Sequence, residues 1–427
     1  MGNAGFSYSP AWYISLAISP SGQPYVAFEN GVGLATVMKY DSTHWVKLGN
    51  DFSNGLNHYT SLAFAPLGIP YLAFQGYETS GYMLRVVQFD GYQWIDVGST
   101  GVFSDGSPHS ICIAFNPSDG QPYIAYRDEV NSGKASVMKF NGISWINVGS
   151  RGFSTGEVDD IRIAFDPSDG QCYVAYQDYG DSQHATVMKF TGTNWANVGS
   201  AGFSAGKVDY LSLAISPSEG TPYVAYQDFS NSMKLTVMKF MGTGWVNVGI
   251  AGFSAGNASP SIAFSPSGQP YVAYSDGGDS GKASVMKFDG VNWVYVGNAG
   301  FSAGSSFFVA LAFSPTGQPY VAYKDYSMFE EATVMKYDSV YNGFHEPPQV
   351  NLHLYPNPAL TTISIDAKNI PDKVKCIEIT DINGTVVFET QSSENKIILD
   401  VDKLPGGMYF LKLKTNYSVF IGKFCKN

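Results

Sequence analysis

Residues 209–249 read DYLSLAISPSEGTPYVAYQDFSNSMKLTVMKFMGTGWVNVG, and residues 259–297 read SPSIAFSPSGQPYVAYSDGGDSGKASVMKFDGVNWVYVG. The two stretches are copies of one unit and differ in length by two residues. Seven copies follow one another along the chain, because the first Tyr of the PYVAY-like segment recurs every 46 to 52 residues. These tyrosines are Tyr25, Tyr71, Tyr123, Tyr173, Tyr223, Tyr271 and Tyr320.

Each copy contains four short runs rich in β-branched and aromatic residues. In the fifth copy the runs are LSLAIS, PYVAYQD, LTVMKF and WVNVG, and turn residues separate them. Four short strands in a unit of about 50 residues are typical of a β-propeller blade. Helical solenoids are excluded, because Pro and Gly interrupt every unit and no window has helical apolar spacing. We therefore predict an all-β fold, with a seven-bladed β-propeller over residues 1–344.

A Trp begins the last run of six copies. In LTVMKF and WVNVG, large apolar side chains fall on both faces of the expected sheet, so each sheet has to bury both faces against neighbours. A Trp buries about 200 Å² in such a junction, and we predict a structural role for these residues; stacking against a sugar is the alternative. They are Trp45, Trp94, Trp145, Trp195, Trp245 and Trp293.

The composition narrows the classes of ligand. The chain has 44% hydrophobic and 14% charged residues, and its formal net charge is −11. This charge disfavours nucleic acid and anionic lipid, which bind basic surfaces. Neutral sugars, cations and other proteins stay compatible with it. No run of 18 apolar residues exists, so no membrane-spanning helix is predicted.

The N-terminal residues match a linker inside the repeat. Residues 2–7 read GNAGFS, as do residues 297–302, where the segment follows a W-x-x-V-G strand. The last copy lacks such a strand after residues 332–338, and the N-terminus has no basic region followed by an apolar stretch. We expect that the sequence is truncated at its N-terminus and that the lost part holds a strand and an export signal.

A different pattern follows the repeats. Residues 345–350 contain Pro347-Pro348 and are predicted to be a stiff linker. Residues 351–427 alternate apolar strands with Asn-Gly and Gly-Gly turns, which predicts an immunoglobulin-like β-sandwich. Cys376 and Cys425 could form a disulfide if their strands are neighbours, and the spacing leaves this open.

This C-terminal stretch resembles the type A C-terminal sorting domain of type IX secretion substrates. The resemblance implies export across the inner membrane, interaction of the folded domain with an outer-membrane translocon, and a secreted or surface-attached product. It rests on a Y-P-N-P segment, an I-T-D-I-N-G turn, an L-P-G-G-M-Y turn and the terminal strand. The matching residues are Tyr355, Pro356, Asn357, Pro358, Gly384, Leu404, Gly406, Gly407, Tyr409 and Lys423.

No catalytic motif is present in the sequence. It contains no H-E-x-x-H, no Cys-x-x-Cys and no G-x-S-x-G. The segment Gly278-Asp279-Ser280-Gly281 imitates a serine-protease loop, and we interpret it as coincidence because no matching His context accompanies it. An active site built from scattered acids at the centre of the ring stays open.

The turns between the second and third strands vary most among the copies, and variable loops on a rigid scaffold commonly bind ligands. An Asp precedes this turn in five copies. One hypothesis is a partial ring of carboxylates that binds sugar hydroxyls or Ca²⁺; the alternative is a turn in which the carboxylate accepts backbone hydrogen bonds. No other cofactor is predicted. The residues are Asp128, Asp178, Asp228, Asp276 and Asp325.

Three functions are compatible with these observations. The favoured hypothesis is a secreted or cell-surface, non-catalytic propeller that binds glycans or proteins, as an adhesin does. The alternative is an extracellular polysaccharide-acting enzyme with a site at the propeller centre, and a pure scaffold is the third. The repeats are too alike to favour the enzyme, which needs one or two divergent blades to supply a carboxylate pair.

Overall fold

The computed structural model describes residues 1–50, 52–53, 55, 57–78, 81–98, 107–338, 343–344, 354–366, 376–381, 385–392, 396–414 and 419–427. Within the described residues, no helix has the length and apolar character needed to cross a membrane. The chain forms two compact units, Met1–Tyr337 and Asp338–Asn427.

Repeated four-stranded antiparallel sheets account for the first unit, as the four runs of the first six copies predict. In the seventh sheet the fourth strand is Gly343–Phe344, beyond Tyr337, where the sequence has no W-x-x-V-G run. Among the described residues there are seven such sheets in the repeat region, each with its strands in chain order. Sheets one to three contain β1 (Trp12–Ile18), β2 (Pro24–Glu29), β3 (Ala35–Tyr40) and β4 (Trp45–Lys47); β5 (His58–Phe64), β6 (Pro70–Glu78), β7 (Gly81–Phe89) and β8 (Trp94–Asp96); and β9 (His109–Phe115), β10 (Pro122–Asp128), β11 (Lys134–Phe140) and β12 (Trp145–Asn147).

The later sheets repeat this plan and add a short 3-10 helix after the second strand. Sheets four to seven contain β13 (Val158–Phe165), β14 (Cys172–Asp178), β15 (His184–Phe190) and β16 (Trp195–Asn197); β17 (Val208–Ile215), β18 (Pro222–Asp228), β19 (Lys234–Phe240) and β20 (Trp245–Asn247); β21 (Ala258–Phe264), β22 (Pro270–Asp276), β23 (Lys282–Phe288) and β24 (Trp293–Tyr295); and β25 (Ser306–Phe313), β26 (Pro319–Asp325), β27 (Glu331–Asp338) and β28 (Gly343–Phe344). The 3-10 helices, in sheets three to seven, are Glu129–Asn131, Tyr179–Asp181, Phe229–Asn231, Gly277–Asp279 and Tyr326–Met328.

Neighbouring sheets pack face to face, and the first strand of each contacts the first strand of the next. The last sheet also contacts the first, through β25 and β1. One buried cluster joins them, with Val26 and Phe28 from sheet one and Ala322 and Val334 from sheet seven. Apolar side chains on both faces of the sheets are buried between neighbours in this arrangement.

Each repeated Trp links its sheet to the preceding one. The Trp195 indole Nε1 donates a hydrogen bond of 2.7 Å to the Val148 carbonyl oxygen, and its ring stacks on Phe153 of the linker, with centroids 4.4 Å apart. Four of the other indoles donate to the equivalent backbone carbonyl that follows the preceding sheet. The Trp45 indole donates a hydrogen bond of 2.9 Å to the Met1 carbonyl in the N-terminal segment. These contacts support the structural role predicted for the Trp residues.

The second unit contains two sheets that share one apolar core. The first has the order β29 (Leu354–Tyr355), β30 (Thr362–Asp366), β33 (Lys396–Asp400), and the second has the order β32 (Val386–Thr390), β31 (Cys376–Thr380), β34 (Gly407–Lys414), β35 (Val419–Lys426). Ile363 and Leu399 of one sheet lie in the same buried cluster as Ile379 and Leu411 of the other.

Cys376 and Cys425, both in the described part of the chain, do not form a disulfide. Cys376 lies opposite Lys414, at the end of β34 where β35 begins. Cys425 lies opposite Met408 near the other end of β34. These two positions are six residues apart along β34, which corresponds to about 20 Å along the sheet. Their strands are in one sheet, but the register keeps the thiols too far apart to bond.

Candidate functional site

The aspartates that end the second strand are buried inside their own turns. At Asp178, Oδ1 accepts a hydrogen bond of 3.0 Å from the Gly180 N–H, and Oδ2 accepts one of 3.1 Å from the Thr186 hydroxyl. Asp228 and Asp325 accept the same pair of hydrogen bonds from their own turns. At Asp276, Oδ1 accepts from the Gly278 N–H. All five aspartates are at most 1% exposed.

The structure places each of these five carboxylates in a different sheet, so it does not bring them together. Asp128 departs from the pattern, because the Arg151 guanidinium donates two hydrogen bonds of 3.0 and 3.1 Å to it. The geometry of the other four aspartates supports the alternative in which they form Asx-type turns, whereas the Asp128 side chain makes no such cap hydrogen bond. Ca²⁺ binding stays a prediction. Among the described residues, one group of three side chains lies close enough together to hold a metal ion. It consists of Cys376, Glu378 and Glu389, in the second unit.

A second set of residues, which the sequence did not single out, lies at the start of the innermost strands. Six of the seven described innermost strands shift register there, so each contains a β-bulge. One non-glycine residue of each bulge has the left-handed conformation, which L-residues adopt at a cost of about 1–2 kcal/mol. These bulge residues are Tyr13, Tyr59, Ser110, Asp160, Tyr210 and Phe308, with φ between 48° and 55°.

The bulge residues line one cavity. The innermost strands of all seven sheets enclose a space of about 590 Å³, which we call the channel. All six bulge residues line it, together with Pro260 of sheet six. Sheet six is the exception, because β21 pairs with β22 without a register shift. Strained backbone next to a cavity is typical of functional sites, and here it directs side chains of several kinds into one space.

One side of the channel is aromatic. The Tyr13 ring centroid lies 4.9 Å from that of Tyr59 and 5.3 Å from that of Phe308. The Tyr13 ring also packs edge-on against the imidazole of His58, at 5.6 Å. The His58 Nδ1 lies 2.9 Å from a carboxylate oxygen of Glu29. These contacts hold the aromatic rings in fixed positions along the wall of the channel.

The other side of the channel is acidic. Asp159 and Asp160 are consecutive residues of β13, and both line the cavity with Arg162. The Ser110 hydroxyl donates a hydrogen bond to Asp159 Oδ1 and accepts one of 3.2 Å from the Asp160 N–H. Asp160 Oδ2 accepts a hydrogen bond of 3.3 Å from the N–H of Leu211 in the next sheet. The acidic pair is therefore fixed by contacts from both neighbouring sheets.

The channel changes the pKa values of the groups within it. Burial raises the pKa of Asp160 to about 6, and the nearby carboxylates of Asp159 and Asp209 act in the same direction while Arg162 opposes them. Burial also raises the pKa of Tyr59 to about 12, with a further contribution from Tyr13. Near neutral pH the tyrosine is therefore a neutral hydrogen-bond donor, and Asp160 is a carboxyl group that titrates close to that range.

Side chains of the second strands hold the start of the next innermost strand in place. The Gln227 amide donates a hydrogen bond of 3.2 Å to the Ala258 carbonyl, at the start of the next innermost strand. Gln177 makes the equivalent contact with Val208, immediately before Asp209 and Tyr210. The corresponding residue of sheet seven is a fully buried lysine, and it contacts the first strand of sheet one.

This residue, Lys324, has its Nζ 3.0 Å from the Trp12 ring centroid and 2.6 Å from a carboxylate oxygen of Glu330. The lysine therefore pairs with one charge and one aromatic face while it is shielded from water.

A signal for the bulge residues is present in the sequence. A pair of residues at or next to the start of the innermost strand differs in every copy, whereas the residues that follow the pair are nearly uniform. The pairs are WY, HY, HS, DD, DY, SP and FF, at residues 12–13, 58–59, 109–110, 159–160, 209–210, 259–260 and 307–308. Ten of these fourteen residues line the channel, so variation at this pair in an otherwise uniform strand is a signal for side chains that face a cavity.

Comparison with known proteins identifies the C-terminal part of the chain. Residues 353–427 match the family model of the secretion system C-terminal sorting domain. This part of the chain is a type IX secretion sorting domain. The domain implies export by the type IX secretion system and a secreted or cell-surface protein. No curated protein shows significant sequence similarity to the chain.

Within the sorting domain, the structure joins two of the motifs that identified it. Asn357 of the Y-P-N-P segment accepts a hydrogen bond of 2.9 Å from the Cys425 N–H, through Oδ1. Its Nδ2 donates one of 3.3 Å to the Lys423 carbonyl. In the turn before β34, the Tyr409 hydroxyl donates to the Pro405 carbonyl at 2.8 Å. Gly384 lies outside the described residues.

Solved structures with the same architecture have little sequence identity with this chain. The extracellular domain of a hybrid two-component system from B. thetaiotaomicron aligns at a TM-score of 0.56 and 13% identity, over 98% of this chain and 57% of that chain. A fungal alcohol oxidase in complex with copper aligns at 0.52 and 8% identity, over 98% of each chain. At these identities the likeness shows the fold alone.

The chain also aligns with PorZ, a bacterial surface component of the type IX secretion system of Porphyromonas gingivalis, at a TM-score of 0.49 and 13% identity. The alignment covers 97% of this chain and 59% of PorZ, so this chain spans less than two thirds of that protein.

Proposed function

We propose that the protein is a secreted or cell-surface glycan-binding propeller whose binding site is the channel. In this proposal the first unit is a closed seven-bladed propeller, since neighbouring sheets contact one another and the last contacts the first. The second unit is an immunoglobulin-like sandwich that serves export. The proposal places binding in the channel rather than at the five turn aspartates.

The bulges carry this proposal. Six innermost strands adopt a strained conformation at the same point, and all six strained residues line one cavity of about 590 Å³. A framework role does not require this strain, because sheet six forms the same innermost strand without it. Strain that recurs in six sheets at residues lining the same cavity supports a role in binding.

The side chains in the channel fit a carbohydrate. Aromatic rings such as Tyr13 and Tyr59 offer flat apolar surfaces, while Asp159, Asp160 and Ser110 offer hydrogen-bonding groups to hydroxyls. Binding pockets combine an aromatic lining with a few placed polar groups in this way. The acidic pair and the net charge of −11 favour a neutral glycan over an acidic one.

The test is a glycan array probed with the purified protein, followed by calorimetry on each glycan that binds. We expect binding of neutral glycans, with and without Ca²⁺, and loss of binding in Tyr13→Ala. Tyr92→Ala is the control, because Tyr92 is 90% exposed in a turn outside the channel. Binding that survives in Tyr13→Ala but is lost in Asp178→Asn would move the site from the channel to the turn aspartates.

An enzyme that acts on polysaccharide is the second candidate, and Asp160 is the observation that favours it. A carboxyl group with a pKa near 6 can donate a proton near neutral pH, as the general acid of a glycoside hydrolase does. Asp159 and Asp209 would supply the second carboxylate. Release of reducing ends from neutral polysaccharides, abolished in Asp160→Asn, would support this function. Binding without release supports the first candidate.

A further inference from the structure

The sixth sheet differs from the others in three ways at the same end of the ring. Its innermost strand lacks the bulge and carries Ser259-Pro260 in place of a larger pair. Its second strand has Ser275 where sheets two, four and five have Gln. Its 3-10 helix begins with Gly277-Gly278, whereas the corresponding helices of sheets four, five and seven begin with an aromatic residue. Side chains are therefore smallest at this sheet.

These differences coincide with a second cavity of about 500 Å³ between sheets five and six. We call it the sheet-six groove. Tyr210, Ser259 and Phe307 line both the groove and the channel, so the two spaces adjoin. The groove continues outward past Gln227, Phe229 and Met233 to the loop of sheet five. The channel site thus has a lateral extension at this sheet.

The groove combines aromatic walls with polar groups. Tyr210, Phe229 and Phe307 are 39%, 39% and 37% exposed, so a bound molecule can contact their rings. The Lys207 Nζ lies 4.8 Å from the Phe229 ring centroid and supports this ring from one side. Asn257 also lines the space. A Cβ added to Gly277 would lie 1.5 Å from the Asn257 Oδ1, so the close packing of this loop depends on glycine.

We propose that the sheet-six groove binds further sugar units of a linear neutral glycan, one part of which occupies the channel. This inference rests on the proposed glycan-binding function and makes it more specific. A ligand that fills only the channel does not contact the exposed aromatic rings outside it. A linear chain that leaves the channel between sheets five and six contacts Tyr210 and Phe307 first and Phe229 farther out. The protein therefore recognises an extended chain rather than a single sugar.

The experiment measures affinity against chain length. The probes are cello-, xylo-, laminari- and malto-oligosaccharides from two to six units, titrated into the full chain by calorimetry. We expect the affinity of the wild-type protein for one series to rise with length. Phe229→Ala lowers the affinity for the hexasaccharide about 2- to 10-fold, because one aromatic contact is lost, and leaves the disaccharide unchanged.

Tyr179→Ala is the matched control, because Tyr179 begins the equivalent 3-10 helix of sheet four, is 41% exposed and does not line the groove. We expect it to bind every length as the wild type does. Met233→Trp is a second groove variant, since Met233 is 42% exposed and a larger side chain there fills the groove without disturbing the core. It should also weaken hexasaccharide binding selectively.

Two outcomes overturn the inference, and they are distinguishable. If affinity rises with chain length equally in wild type, Phe229→Ala and Met233→Trp, the sheet-six groove is not a binding site, and the channel site is unaffected. Failure of every probe to bind the wild-type protein, together with a silent glycan array, removes the proposed function and the groove with it.

Discussion

The Ser110 hydroxyl links two neighbouring innermost strands, because it donates a hydrogen bond to Asp159 Oδ1 and accepts one from the N–H of Asp160. Ser110 is itself a bulge residue with a φ of 48°. The bulges of sheets three and four are therefore coupled, and the positions of Asp159 and Asp160 depend on Ser110. A substitution at one of these residues is therefore expected to change both the lining of the channel and the stability of the sheets.

Asp160→Asn should change how stability depends on pH. The folded carboxyl has a pKa of about 6, whereas an Asp of the unfolded chain titrates near 3.9. Between these values the folded protein binds more protons than the unfolded chain, so this group makes stability fall as pH rises from about 4 to 6. The Asn variant should be more stable than wild type at pH 8, by at most about 3 kcal/mol, and similar at pH 4. Urea unfolding across this range measures the difference.

Asp41→Asn should show the opposite sign. Hydrogen bonds from the backbone of His44, with others from Thr43, lower the pKa of Asp41 to about 2. The stability from this carboxylate is present above about pH 4 and is lost as pH falls toward 2. Wild-type protein should therefore lose stability over that interval, and the Asn variant should lose less. An equal loss in both proteins would contradict the lowered pKa.

Tyr13→Ala should weaken glycan binding at the channel by about 10-fold or more. The Tyr13 ring contacts Tyr59, His58 and Phe308, so its removal takes away one aromatic surface and loosens the others. Calorimetry with a glycan that binds the wild type measures the effect. The near-ultraviolet circular dichroism of the variant, compared with that of Tyr92→Ala, separates lost binding from lost folding.

Trp195→Phe should destabilise the repeat unit by about 1–3 kcal/mol. The substitution keeps an aromatic ring against Phe153 but leaves the Val148 carbonyl, in the preceding sheet, without its donor. Thermal unfolding of the variant and of Tyr92→Phe, an exposed aromatic control, measures the cost. Equal midpoints for the two variants would show that the indole hydrogen bond contributes nothing across the junction.

Asn357→Ala should loosen the last strand of the sorting domain. The Asn357 amide bonds to the backbone at Lys423 and Cys425, so the variant loses two hydrogen bonds, each worth about 1 kcal/mol. Amide exchange at Cys425 should accelerate, whereas Lys423→Ala, which keeps the carbonyl acceptor, should leave it unchanged. Export of both variants from the producing cell then tests whether order in this strand matters for recognition by the translocon.

The sequence alone predicts the repeated four-stranded sheets, but it does not predict the channel that they enclose. The spacing of Tyr and Trp predicts the repeated four-stranded sheets, because strands and turns follow local patterns that recur in each copy. The variable pair marks the bulge positions in the sequence, but it does not predict the bulge itself, because a register shift depends on how β13 pairs with β14. The Asp at the position of Asp178 is a ligand candidate in the sequence because it recurs in five copies. In the structure this recurrence accompanies the turn that follows the second strand in sheets three to seven.

The register of the innermost strands has one more consequence. After the shift at Asp159, β13 returns to regular pairing at Arg162, and the remaining strand follows the common pattern of the other copies. Mutations at the two bulge positions can therefore diversify the lining of the channel while the inherited architecture around it persists. Ten of the fourteen paired positions line the channel, so its chemistry can change one copy at a time without altering the shared sheets.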